Sequence, residues 1–110
     1  MEGASEYVAV AAVDDLRLGF VAVYEVEGRG IVLARTEAGV TAWDGTCPHA
    51  EFRFGPMRLR RGRELECPMH GAKFDVTDGH VLKGPATEPL EPVTSRVEDG
   101  TVLVLVDWLL

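Results

Sequence analysis

Two short segments hold the side chains best suited to chemistry. Cys47-Pro48-His49 and Cys67-Pro68-Met69-His70 each bring one thiol and one imidazole together, and seventeen residues separate His49 from Cys67. A proline directly follows each cysteine. It fixes φ and removes an amide hydrogen, which favours a rigid ligand loop. Two Cys and two His suit two kinds of metal site. One is tetrahedral zinc. The other is a two-iron, two-sulfide cluster in which the cysteines take one iron and the histidines the other. The usual zinc-finger order pairs Cys with Cys and His with His. Here each arm carries one of each, so each finger can reach both irons of a diatomic core. The chain has only these two cysteines. A lone Cys47–Cys67 disulfide is the plainer alternative, and the histidine beside each cysteine in a matched pattern speaks against it.

The elements that must position these arms read as short strands. Tyr7–Ala11 is apolar enough for a first strand, and 14–19 reads as a loop or a single turn. Phe20–Val26, Gly30–Thr36 and Val40–Trp43 form a meander broken by Glu27-Gly28-Arg29-Gly30 and Glu37-Ala38-Gly39. Val93–Glu98 and Thr101–Val106 flank Asp99-Gly100, a strong hairpin signal. Residues 46–84 differ, being rich in Gly, Pro and charge. They predict a loop-built lobe with short strands near Glu64–Glu66 and Lys73–Asp75 and little core of its own. Bound metal would supply the missing crosslinks. The expected class is all-β: an antiparallel sandwich or barrel base, 1–45 and 85–110, with a small inserted cluster-binding subdomain, 46–84, in one domain of 110 residues.

Composition narrows the function. At 46% hydrophobic and 26% charged, the chain can bury a small core and reads as an ordinary soluble domain. Net charge is −7, unevenly spread: residues 47–84 hold seven Lys/Arg against five Asp/Glu, the rest four against thirteen. An acidic body with a mildly basic end argues against nucleic acid and anionic membrane as partners. No apolar run is long enough to span a bilayer. The acidic N-terminus lacks the pattern of an export signal, so a cytoplasmic location is the default expectation.

The chain resembles the Rieske ferredoxins. The likeness rests on Cys-x-His, the intervening gap and Cys-x-x-His, and extends to Gly71, to Phe74 in Cys-Pro-Met-His-Gly-Ala-Lys-Phe-Asp, and to Gly84-Pro85-Ala86. The resemblance implies one [2Fe–2S] cluster, with Cys47 and Cys67 on a buried iron and His49 and His70 on an outer iron through Nδ1. The 84–86 segment would be the loop that covers the cluster, with Pro85 limiting solvent access. High-potential relatives carry stapling cysteines where this chain has Phe52 and Met69, and Ser and Tyr hydroxyls where it has Ala72 and Phe74. Donors to sulfur stabilise the added electron, so their absence implies the low end of the Rieske range. Phe52 and Met69 are then expected to fill the staple's space and shield the cluster. Gly71, Gly79 and Gly84 are expected at positive φ.

The resemblance further implies the ferredoxin component of an aromatic-ring-hydroxylating dioxygenase. Such a carrier takes electrons from an NAD(P)H-dependent flavoprotein reductase and passes them to a terminal oxygenase by transient docking near His49 and His70. It has no catalytic site of its own, and a monomer is the default. Two other readings stay open: the small Rieske subunit of an assimilatory nitrite reductase, and a zinc or iron–sulfur interaction module. His80 reads as a solvated turn residue and Trp43 as core. The Arg58/Arg60/Arg61/Arg63 run reads equally as a docking patch for an acidic partner and as a solvated loop. Trp108 is expected to pack on the body.

Overall fold

The computed structural model describes residues 6–48, 52–69 and 71–109. Strand β1 (Glu6–Ala12) leads through one 3-10 turn, Val13–Asp15, into β2 (Phe20–Val26), β3 (Arg29–Thr36) and β4 (Gly39–Asp44). The lobe follows with β5 (Met57–Arg58), β6 (Glu64–Glu66), β7 (Lys73–Asp75) and β8 (Val81–Lys83). The chain returns through β9 (Pro92–Val93), β10 (Ser95–Glu98) and β11 (Thr101–Val106). Three antiparallel sheets result, ordered β1-β11-β10, β5-β2-β3-β4-β9 and β6-β7-β8.

The five-stranded sheet is the middle layer, and β3 shows why. Ile31, Val32, Leu33 and Ala34 are all fully buried. Successive strand residues face opposite sides, and the packing obeys this. Ile31 and Leu33 join Val102, Val104 and Val106 of β11 in the sandwich core. Val32 and Ala34 join Phe54, Leu65, Phe74 and Val76 in a second core beneath the lobe. The lobe therefore owns more apolar interior than its composition suggests. Its apolar residues come singly between polar, Gly and Pro neighbours, so no run announces them.

Three expectations need correction. Val93–Glu98 is not one strand. Pro92–Val93 pairs with Trp43 and Ala42 of β4, while Ser95–Glu98 pairs with Val104–Thr101 of β11. Thr94 is the pivot between sheets, and its carbonyl accepts the Leu105 N–H at 2.9 Å. Pro92 has no N–H to give, and it sits on an edge strand where that is tolerated. Gly84 is not at positive φ, unlike Gly71 (80°) and Gly79 (86°); it instead precedes a cis peptide to Pro85. Strands β5 and β8 went unforeseen, because two or three residues carry no readable period.

Trp43 and Arg29 join the layers. The Trp43 indole N–H donates to the Thr41 hydroxyl (3.0 Å) and the Val76 carbonyl (3.1 Å), linking β4 to the lobe. A Cβ at Gly79 would lie 2.6 Å from the Trp43 ring, so glycine is needed there for space as well as for φ. Arg29 pairs with Asp44 at 2.9 Å and lies over the Trp108 ring, whose N–H donates to the Glu27 carbonyl. Trp108 thus packs on the body as expected, against the sandwich core. No helix among the described residues is long and apolar enough to cross a membrane.

Candidate metal centre

The first arm leaves β4 through a tight approach of backbones. The Gly45 N–H donates to the Gly30 carbonyl at 2.9 Å, and a Cβ on Gly45 would meet that oxygen at 3.0 Å. Asp44 accepts the Thr46 N–H at 2.9 Å and turns the chain. Cys47 then donates its N–H to the Phe52 carbonyl (2.8 Å), and Phe54 closes the loop onto the Gly45 carbonyl (2.8 Å).

The second arm repeats the device. The Cys67 N–H donates to the Ala72 carbonyl at 2.8 Å, and the Gly71 N–H donates to the Cys67 carbonyl at 2.9 Å. Gly71, at φ 80°, supplies the left-handed residue this tight loop requires. Each cysteine therefore opens a loop closed by the carbonyl five residues on. In sequence, an expected histidine falls between the two ends of each hydrogen bond. His49 and His70 themselves fall outside the described residues.

Both thiols point inward. Cys47 is 2% exposed and Cys67 is fully buried, both belong to the lobe core, and neither is in a disulfide. Two buried cysteines on matched loops, in one core with Phe54, Phe74 and Leu65, give the dry surroundings that thiolate-bound metal favours. The sulfur half of a two-iron donor set fits this structure.

The other expected site residues divide. Phe52 is half-buried, packs against the lobe core and meets Phe54 edge to face at 6.3 Å. Gly71 is half-buried. Met69 is 53% exposed and so stands outside the lobe core rather than filling it, and Pro85 is exposed at the surface. Ala72 and Phe74 are fully buried.

The lobe's polar bracing was not foreseen. Asp75, on β7, is buried yet accepts from Arg63 Nε (2.9 Å), the Thr77 N–H (2.9 Å) and the Thr77 hydroxyl (2.6 Å). Burial opposes its ionisation, but these donors prevail and hold its carboxyl below the usual range, and the Asp75 carboxylate in turn raises Arg63. Only the residue types hinted at this, since nothing in sequence joins Arg63 to Asp75. His80 is exposed, as expected; its N–H and Nδ1 both meet Asp78 Oδ1, at 3.0 and 2.5 Å. The His80 N–H and ring hold the Asp78 carboxyl below its ordinary range.

Comparison with known proteins decides the family. A model of the Rieske [2Fe–2S] domain matches residues 6–102. The chain belongs to the Rieske [2Fe–2S] family. A Rieske domain carries one [2Fe–2S] cluster. The ferredoxin component of naphthalene 1,2-dioxygenase/salicylate 5-hydroxylase systems from Ralstonia sp. is 33% identical over 98 residues, covering 89% of this chain and 93% of that one. The ferredoxin component of an alkene monooxygenase system from Xanthobacter autotrophicus is 35% identical over 99 residues, covering 90% and 80%. Among solved structures, the ferredoxin of carbazole 1,9a-dioxygenase from Nocardioides aromaticivorans superposes with a TM-score of 0.78 at 30% identity, covering 89% of this chain and 95% of that one. The matched region takes up most of the length of each of these ferredoxins.

Proposed function

We propose that this chain is a one-electron carrier, the ferredoxin component of a multicomponent oxygenase. Cys47 and Cys67 hold one iron and His49 and His70 the other. The bound cluster supplies a site that gains and loses a single electron. The observation that carries this reading is the pair of matched loops, each with a buried cysteine, in a Rieske chain that covers its ferredoxin relatives almost end to end.

The protein's own groups set the conditions for transfer. Phe54, Phe74 and Leu65 keep water from the sulfur side. Ala72 and Phe74 offer no hydroxyl toward the site, which favours a low potential. That suits electrons arriving from an NAD(P)H-dependent flavoprotein reductase in the cytoplasm and leaving to a terminal oxygenase. The alkene monooxygenase relative widens the set of acceptors beyond ring-hydroxylating enzymes. Docking is transient, and the carrier works as a monomer.

Purification under anaerobic conditions provides the test. Two irons and two acid-labile sulfides per chain are expected, with a Rieske EPR signal on reduction that His49→Ala and His70→Ala abolish. Stoichiometric zinc, or an unchanged signal in both variants, would refute the ligand assignment. A coloured, reducible protein that passes no electron to any oxygenase would refute the carrier role alone.

A further inference from the structure

The arginine run of the sequence is split by the fold. Arg63 is committed to Asp75 inside the lobe. Arg60 reaches Glu66 at 3.4 Å, with both side chains exposed. Arg58 and Arg61 have no ion pair with any described residue. A fourth arginine, distant in sequence, joins them. Arg17 lays its guanidinium over the Phe20 ring at 4.4 Å. Phe20 is the direct cross-strand partner of Arg58, and such partners share one face of a sheet.

A surface groove of about 780 Å³ runs between the Leu18-Gly19 loop and the Arg61-Gly62 turn. Arg17, Arg58, Arg60 and Arg61 all line it, and among the described residues no acidic one does. In a chain of net charge −7 this is a sharp local reversal. Two acids border it: Glu66, which meets Arg60, and Glu37, which lines the adjoining groove beside Arg61 and Arg63. Leu18 stands at the junction of the two grooves and is 54% exposed.

We infer that this groove docks an acidic protein segment that carries an apolar side chain among its carboxylates. The guanidinium fork matches a carboxylate in two parallel hydrogen bonds, and its weak hydration suits an interface. Leu18 and the Phe20 ring give such a segment an apolar contact between charged ones, the mix of anchor and rim found at protein interfaces. A nucleic-acid backbone is the poorer match. It would run beyond the groove onto an acidic body, where its phosphates are repelled. A second copy of the chain brings that same acidic body, at a total charge that opposes close approach.

The groove lies at the opposite end of β6 from Cys67. No described residue of the two cysteine loops lines it, so its occupant grips the base of the lobe. That makes it a second attachment point, independent of the carrier reading above.

The test uses the cluster-loaded protein, labelled with ¹⁵N, and a short synthetic peptide of Glu residues around a central Leu, at low ionic strength. Amide shifts should concentrate on 17–20 and 58–62. The double variant Arg58→Gln/Arg61→Gln should bind at least about tenfold more weakly. High salt should abolish binding. A peptide with Gln for each Glu should not bind. The Rieske EPR signal of the double variant should match the parent, which separates lost docking from lost folding. Shifts elsewhere, or an affinity the two substitutions leave unchanged, would overturn the inference. So would a DNA duplex binding more tightly than the peptide at the same arginines. A concentration-dependent dimer that the double variant dissolves would also overturn it, by assigning the groove to a second copy.

Discussion

The two cores on either side of β3 are built from different kinds of sequence. The sandwich core draws on continuous or alternating apolar runs, Ile31 and Leu33 in β3 and Val102, Val104 and Val106 in β11. Strand pairs six or seven residues long hold it. The lobe core is made of single residues, Phe54, Leu59, Leu65, Phe74 and Val76, gathered from loops and strands two or three residues long. Few ladder bonds hold those pieces in place. The lobe relies instead on the Asp75 hub, the Trp43 link and two cysteine loops. Stability is thus spread through the sandwich and concentrated in the lobe, where metal binding adds to it.

The largest effect should come from the cysteines. Cys47→Ser or Cys67→Ser is expected to bring iron and acid-labile sulfide to background. Hydrogen exchange should then quicken across 54–76 while the Val102–Val106 amides stay protected. Equal loss of protection on both sides of β3 would erase the distinction between the cores.

Next in size are core truncations. Leu65→Ala in the lobe is expected to cost about 2–5 kcal/mol, and Ile31→Val in the sandwich about 0.5–1.5 kcal/mol. The sharper measurement is iron content. Leu65→Ala should lower it and Ile31→Val should not, because only Leu65 packs in the core that holds the thiols. Equal iron in both variants would show that the lobe core does not support the site.

The polar hub gives a smaller, pH-dependent effect. Asp75 is held below its ordinary carboxyl range in the folded protein despite its burial, through Thr77 and Arg63. Its contribution is therefore complete above the ordinary carboxylate range and is lost as pH falls through the folded value. Near neutral pH, Asp75→Asn is expected to cost about 1.5–3 kcal/mol, the worth of hydrogen bonds to a charged group. Chemical denaturation of parent and variant should converge as the solution is acidified. A gap that stays constant with pH would mean the charge is not what braces the lobe.

The subtlest probe leaves the fold alone. Ala72→Ser with Phe74→Tyr places two hydroxyls at fully buried positions beside the second cysteine loop. With the cluster present they should raise the reduction potential, since donors to sulfur favour the added electron. Without iron, the same hydroxyls should cost about 1–3 kcal/mol for want of partners. A parental potential in direct voltammetry would reject the hydrogen-bond explanation.

What the sequence determined by itself was whatever lies close along the chain. The two ligand motifs, the long strands of the base, the Asp99-Gly100 hairpin and even the short Glu64–Glu66 and Lys73–Asp75 strands could be read because their signals are local periods, turns and spacings. Tertiary structure alone decided the rest. It split 92–98 between two sheets, assembled a lobe core from scattered residues, bound Arg63 to Asp75 and brought Arg17 to Arg58. Each of these is a contact between residues distant in sequence. Pairing of that kind costs chain entropy that only the complete fold repays, so no local pattern records it.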